Sequence, residues 1–185
     1  MDWAACYFDH YQRFFGEARA RLVFRPYSPG ASIQVLAYDR VFPSCITFAS
    51  IGLSHYAKEV SGVAEVYFPV DDGWDQASYL LANALFAIVN AKMEVGWGFT
   101  ISVKNIMPKF VDTFQKVAFY FTKPRWLPEG FQNVQCNDQV GRVRLAAMIS
   151  QAELDFLRQE GAEKLEVFFA EKDVDTTHLA RQSCL

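Results

Sequence analysis

Residues 140–148 read as a strand, and the chain passes from them into Ser150-Gln151-Ala152-Glu153 with no loop between. Ser-x-x-Glu is the signature of a capping box. The serine hydroxyl accepts the N–H of Glu153, and the Glu153 carboxylate reaches back to the N–H of Ser150. Ile149 and Leu154 stand at the two positions of a hydrophobic staple, which sets the angle at which the helix leaves the strand. Any fold for this chain must therefore join a strand directly to a helix. Gly161 is placed to stop that helix. Beyond it, Leu165, Phe168 and Phe169 at i, i+3 and i+4 predict a further helix over residues 162–171, although Val167-Phe168-Phe169 would also suit a strand.

The rest of the chain repeats this association. Trp3, Tyr7, Tyr11, Phe14 and Phe15 recur at helical spacing, so residues 2–20 read as an amphipathic helix. Pro26, Pro29 and Gly30 make a loop, and strand-like runs follow at residues 32–38, 45–51 and 63–70. Asp71-Asp72-Gly73 reads as a turn, with Asp72 as N-cap and Asp75 near the positive end of the next helix. Ala77, Leu81, Ala84, Leu85 and Ile88 line one face of that helix to about residue 93. Leu80, Phe86 and Val89 widen the stripe, so the helix should be covered on most sides. Residues 99–103 and 116–121 are further strands, and Pro124, Pro128 and Gly130 mark the connection towards residue 140. Runs of strands beside helices, rather than strict alternation, predict an α+β fold with a mixed, mainly antiparallel β-sheet packed with helices. There is no internal repeat or linker. One domain over residues 1–185 is expected, with an N-terminal helix at 2–20, a core at 32–172 and a tail at 173–185.

Composition limits the partners. Apolar residues make up 51% of the 185, enough to exclude wholesale disorder. Eighteen basic against 21 acidic residues give a net charge of −3 with no long block of either sign, which disfavours nucleic acid. The longest apolar stretch, residues 80–89, is interrupted by Asn83 and falls well short of the ~20 residues that span a bilayer, so no membrane role is expected. The first residues resemble no secretory signal. Cys6, Cys45, Cys136 and Cys184 are scattered without CxxC spacing and read as unpaired thiols in a reducing compartment, which makes the cytoplasm the expected location.

No catalytic constellation stands out. Gly52-Leu53-Ser54-His55-Tyr56 superficially resembles a nucleophile elbow, but Tyr56 occupies the position of the final small glycine. On a strand, Ser54 and His55 would also point to opposite faces. A turn cap is the simpler reading of Ser54, with a small hydrolase around Ser54 and His55 as the alternative. Cys6 and His10 at i, i+4 could meet one ion, yet no second pair completes a metal site. Asp71 and Asp72 are explained by the turn and cap, and Asp173 and Asp175 as a solvated linker. Arg142 and Arg144 share one face of a strand, an exposed face or a protein-contact patch. Gly96-Trp97-Gly98 lacks the pattern of a phosphate loop. No cofactor or metal is expected.

Several segments resemble, in order, the motifs of the suppressor of fused (Sufu) family. Ile46-Thr47-Phe48-Ala49-Ser50-Ile51-Gly52-Leu53-Ser54 is similar to its strand and Gly-Leu-Ser turn, and Ala64-Glu65-Val66-Tyr67-Phe68 to its Glu-Leu strand. Trp74 and the following helix resemble its Trp-led helix. Residues 143–156, with Glu153, resemble its strand and Ser-x-x-Glu-Leu helix. Arg181-Gln182-Ser183 resembles its closing Arg-x-Ser. Physically, Gly52 supplies a positive φ, a buried Glu65 needs a partner, and the Arg181 fork suits a carboxylate. Arg181 is accordingly expected to pair with Glu65 and pin the tail to the sheet.

The resemblance implies binding without catalysis. Animal members sequester a transcription factor in Hedgehog signalling, and short bacterial members are thought to be immunity proteins against toxins. Eukaryotic members carry Gly-Asp-His where this chain has Gly96-Trp97-Gly98, so their acidic partner contact is missing here. The expected function is a non-catalytic protein-binding domain, an immunity protein that neutralises a toxin by direct contact. An edge strand, or an aromatic patch including Trp97 or Trp126, would engage the partner. A structural module of a larger assembly is the remaining alternative.

Overall fold

The computed structural model describes residues 2–27, 29–71, 74 and 76–185. One mixed sheet forms the middle layer. Its strands are β1 (Ala20–Phe24), β2 (Ile33–Asp39), β3 (Cys45–Ile51), β4 (Ala64–Asp71), β5 (Thr100–Ser102), β6 (Lys116–Thr122), β7 (Asn133–Cys136) and β8 (Gln139–Ser150). The spatial order is β1-β2-β3-β4-β8-β6-β5, with β7 also paired to β8. All pairings are antiparallel except β4–β8. The first four strands form a meander, and the excursion through residues 72–138 lets β8 enter beside β4 in the parallel sense.

Helices α2 (Ala77–Ala91) and α3 (Pro108–Phe114) cover one face. On that face Val35, Phe48, Phe68, Phe119 and Met148 meet Leu81, Leu85 and Ile88. Helix α2 is buried on most sides, as its wide apolar stripe predicts. The other face carries α1 (Trp3–Phe15) over Leu36, Tyr38, Tyr67 and Leu145, and beside it α4 (Gln151–Glu160) and α5 (Ala162–Glu171) over Ala118, Tyr120 and Ile149. The α1 side is a ring cluster in which Phe15 packs 5.2 Å from Tyr38 and 5.0 Å from Phe131.

Several expectations change. Helix α1 stops at Phe15 rather than at residue 20, because Gly16 leaves the helical region at φ 82°, and β1 then begins as the edge strand. Strand β7 and helix α3 lie where the sequence suggested only connections. The expected cap Asp72 and its neighbour Asp75 lie outside the described residues. Asp71 ends β4, and its carboxylate accepts the Leu179 N–H at 3.0 Å and holds His178 at 2.9 Å. The segment after α5 is a packed strap instead of a solvated linker. Thr176, Thr177 and Leu179 are buried, and Asp175 accepts hydrogen bonds from the Thr177 backbone and hydroxyl.

The four cysteines are not all free. Cys6 of α1 and Cys136 of β7 form a disulfide that ties together positions 130 residues apart, while Cys45 and Cys184 remain thiols. The bond removes Cys6 from any metal site, and His10 Nε2 lies 2.8 Å from the Phe131 carbonyl oxygen. Disulfides persist mainly in oxidising surroundings, so this one weighs against the cytoplasmic placement suggested by scattered thiols.

The pairing expected of Arg181 is also overturned. Arg181 grips Glu153, with Nη1–Oε1 at 2.5 Å and Nη2–Oε2 at 2.9 Å, and its Nη2 donates to the Met148 carbonyl. The capping box at Ser150 forms as predicted, and it leaves Glu153 acceptor capacity for the arginine. Ser183 Oγ lies 2.8 Å from Ser150 Oγ, and the fully buried Lys116 donates to the Arg181 carbonyl at 2.5 Å. Burial alone would raise the Glu153 carboxyl, but the guanidinium and the Ser150 N–H hold it down at about 2.

A carboxyl depressed from 4.5 to about 2 contributes about 3 kcal/mol at pH 7, present above the unfolded value and lost as pH falls from about 5 towards 2. Replacing Arg181 by alanine strands the buried charge and is expected to lower stability to urea by about 3–5 kcal/mol at pH 7. The same variant should lose less further stability than the parent between pH 5 and pH 2. Equal acid slopes in the two proteins would refute the pairing.

Candidate functional site

Three groupings collect the residues singled out by sequence. The first surrounds Glu65, fully buried in the middle of β4. Its Oε1 accepts the N–H of Gly52 at 2.7 Å and of Ser54 at 3.0 Å, while Ser50 Oγ donates to Oε2 at 2.6 Å and accepts the Val66 N–H. Burial raises the Glu65 carboxyl, and these hydrogen bonds offset part of that. Gly52 adopts φ 112°, and a Cβ there would stand 2.5 Å from the Ser32 carbonyl oxygen, so both the turn and the close approach require glycine. Ser54 is not a side-chain cap: its amide does the work, and its buried hydroxyl has no hydrogen-bond partner among the described residues. His55 beside it is exposed, so the two form no nucleophile–base pair. The second grouping is the Glu153–Arg181–Ser183 clasp. Both are scaffold. Trp74 likewise packs against α3, 4.8 Å from the Phe110 ring.

The third grouping reaches solvent. Glu166 on α5 accepts three hydrogen bonds at Oε1, from Trp97 Nε1 and Tyr120 Oη at 2.7 Å each and from the Thr122 hydroxyl. Its Oε2 lies 3.3 Å from Arg125. Burial would raise this carboxyl, but the hydroxyl and indole donors and the Arg125 charge bring it below the usual range. The Lys123 ammonium stands 5.4 Å from the centre of the Trp97 ring. Trp126, next to Arg125, packs edge-on against Phe42 at 6.0 Å. Trp97 is 41% and Trp126 57% exposed. One indole, two cations and a carboxylate thus form one connected group, and Trp126 follows Arg125 directly in the chain.

Arg142 and Arg144 do not join it. Val143 and Leu145 of β8 face the α1 side, so Arg142 and Arg144, which alternate with them, point to the opposite face. Arg142 is exposed and bonds the Asn133 side chain, while Arg144 is half-buried. Glu166, Arg125 and Lys123 went unnoticed in the sequence. A carboxylate between Leu165 and Val167 carries no local sign that the fold will surround it with donors.

Residues 30–182 match the sequence profile of suppressor of fused protein (SUFU). The chain belongs to the SUFU family. The fold of this SUFU domain is similar to that of a SUFU homologue from Neisseria gonorrhoeae FA 1090, with a TM-score of 0.76 at 17% identity over 99% of this chain and 97% of that one. It is also similar to a chain in the Sufu–Fu complex, with a TM-score of 0.69 at 16% identity over 98% and 91% of the two chains. No curated protein matches in sequence. Among the described residues no helix is long and apolar enough to cross a membrane, and no cluster of three metal-ligating side chains is found.

Removing the Glu166 carboxylate by substitution with alanine strands three donors. The expected result is a loss of about 1–3 kcal/mol and a shift of the Trp97 indole N–H resonance towards a solvent-exposed position. Glutamine, which keeps a carbonyl acceptor, should leave that resonance nearly in place.

Proposed function

We propose that this SUFU domain is a non-catalytic protein-binding module that contacts its partner through the Trp97–Glu166–Arg125–Trp126 patch. The observation that carries this reading is the anchoring of Trp97. A half-exposed indole fixed by a carboxylate loses little freedom on binding, and exposed aromatic and arginine side chains are the usual hot-spot types. Family membership and the likeness to a chain seen in a Sufu–Fu complex support a binding role. The resemblance to short bacterial members supports a toxin as the partner, neutralised by direct contact. The buried Ser54 and exposed His55 offer nothing to the hydrolase alternative.

The test pairs the chain with a candidate toxin encoded beside its gene, in a growth-rescue assay and by calorimetry. Changing Trp97 and Trp126 together to alanine is expected to weaken binding at least 100-fold and abolish rescue with the melting temperature nearly unchanged, in keeping with hot-spot losses of about 2 kcal/mol or more per residue. Rescue and affinity equal to the parent's would overturn the patch as the contact surface.

A further inference from the structure

The opposite end of the sheet carries a second, independent feature. Strand β1 pairs only with β2, so one of its edges offers backbone N–H and C=O groups to no other strand among the described residues. The two sides of this edge differ. Leu22 and Phe24 lie opposite Val35 and Ile33 and so face α2. There a cleft of about 300 Å³ is walled by Phe24, Pro26, Tyr27, Tyr79 and Phe86, with Arg25, Asn83 and Asn90 at its polar side. Tyr79 stands edge-on to Phe24 at 5.2 Å and is 50% exposed. Arg21 and Val23 lie opposite Leu36 and Gln34 and face the α1 side. There Arg21 borders a shallow hollow with Ala5, Phe8 and Ile51. Asp2 borders it too; its Oδ1 accepts the N–H groups of Ala4 and Ala5, and it forms no ion pair with Arg21 among the described residues.

Charge narrows the choice of occupant. Arg19 is engaged by Asp39 at 2.8 Å, whereas Arg21 and Arg25 are exposed with no acidic partner among the described residues. This cationic edge belongs to a chain of net charge −3. A second copy joined edge to edge would put the arginines of both β1 strands on one short ribbon, and like charges across a ribbon repel. An extended segment with alternating acidic and apolar residues fits instead. Its side chains alternate between faces, so acidic groups meet Arg21 while apolar groups enter the Phe24–Tyr79 cleft. We infer that β1 is a docking edge that takes an acidic, extended segment of a partner protein as an added antiparallel or parallel strand, separate from the Trp97–Trp126 patch.

The probe is the capped peptide Glu-Val-Glu-Phe-Glu-Val, with Lys-Val-Lys-Phe-Lys-Val as its charge-reversed control. Binding is followed by fluorescence anisotropy at low and high salt and by amide hydrogen exchange on the intact chain. The acidic peptide is expected to bind at least tenfold more tightly than the basic one, to weaken with salt and to protect the β1 amides. Reversing both exposed cations, Arg21→Glu with Arg25→Glu, should invert the preference and leave the melting temperature nearly unchanged. Trp97→Ala should not alter it. Absence of acidic-peptide binding would mean that the arginines merely guard an edge against aggregation, and that overturns the inference. Equal binding of both peptides, protection confined to other strands, or a concentration-dependent dimer protecting β1 would overturn it as well.

Discussion

A carboxylate buried in the sheet governs the arrangement of its first half. Glu65 sits on β4, and its oxygens gather the Gly52 and Ser54 amides and the Ser50 hydroxyl from the end of β3. An unpaired buried carboxylate would be costly, and among the described residues no cation pairs with it. The backbone amides of a tight turn satisfy it instead. Because Gly52 reaches those positions only at positive φ with no side chain, the carboxylate, the glycine and the turn are interdependent. The β2–β3–β4 meander, on which α1 and α2 both pack, is thereby set in register.

A second carboxylate closes the other end. Glu153 belongs at once to the start of α4 and to the clasp on Arg181, so the strap after α5 is fastened to the strand–helix junction between β8 and α4. Asp71 adds a further attachment at the end of β4. Glu65, Glu153 and Glu166 show one physical rule with different results. Donors surround each of them, but Glu65 and Glu153 are sealed within the scaffold, whereas the donors of Glu166 include an indole that still faces solvent. Of the three, only Glu166 links the interior to the solvent-facing indole that we propose contacts a partner.

Much of this was legible along the chain. The Ser150 capping box, the bounds of β3 and the burial of α2 on most sides are local or periodic signals, and local physics decides them. Strand β1 escaped notice because it lies at the edge: Arg21 and Val23 are exposed, so its pattern lacks the apolar density of the central strands. Helix α3 spans only seven residues, too few for periodicity to register. The partner of Arg181 was misassigned because Glu65 and Glu153 both sit among apolar residues. The capping box looked like a full account of Glu153, while the turn amides that satisfy Glu65 were invisible as donors in sequence. The Cys6–Cys136 bond joins distant positions, and spacing alone does not specify connectivity.

The amino-acid order alone determined the strand-to-helix junction, the glycine at the β3 turn, the mixed α+β character and the sequence family, since each rests on residues close together or on motifs in series. Tertiary structure alone decided which carboxylate takes Arg181, that Trp97 is anchored by Glu166, and that Arg142 and Arg144 face away from that patch. Those outcomes depend on where separate elements meet in space. Hydrogen bonding and ion pairing act over a few ångströms, and only the folded sheet brings residues such as 97, 125 and 166 within that range.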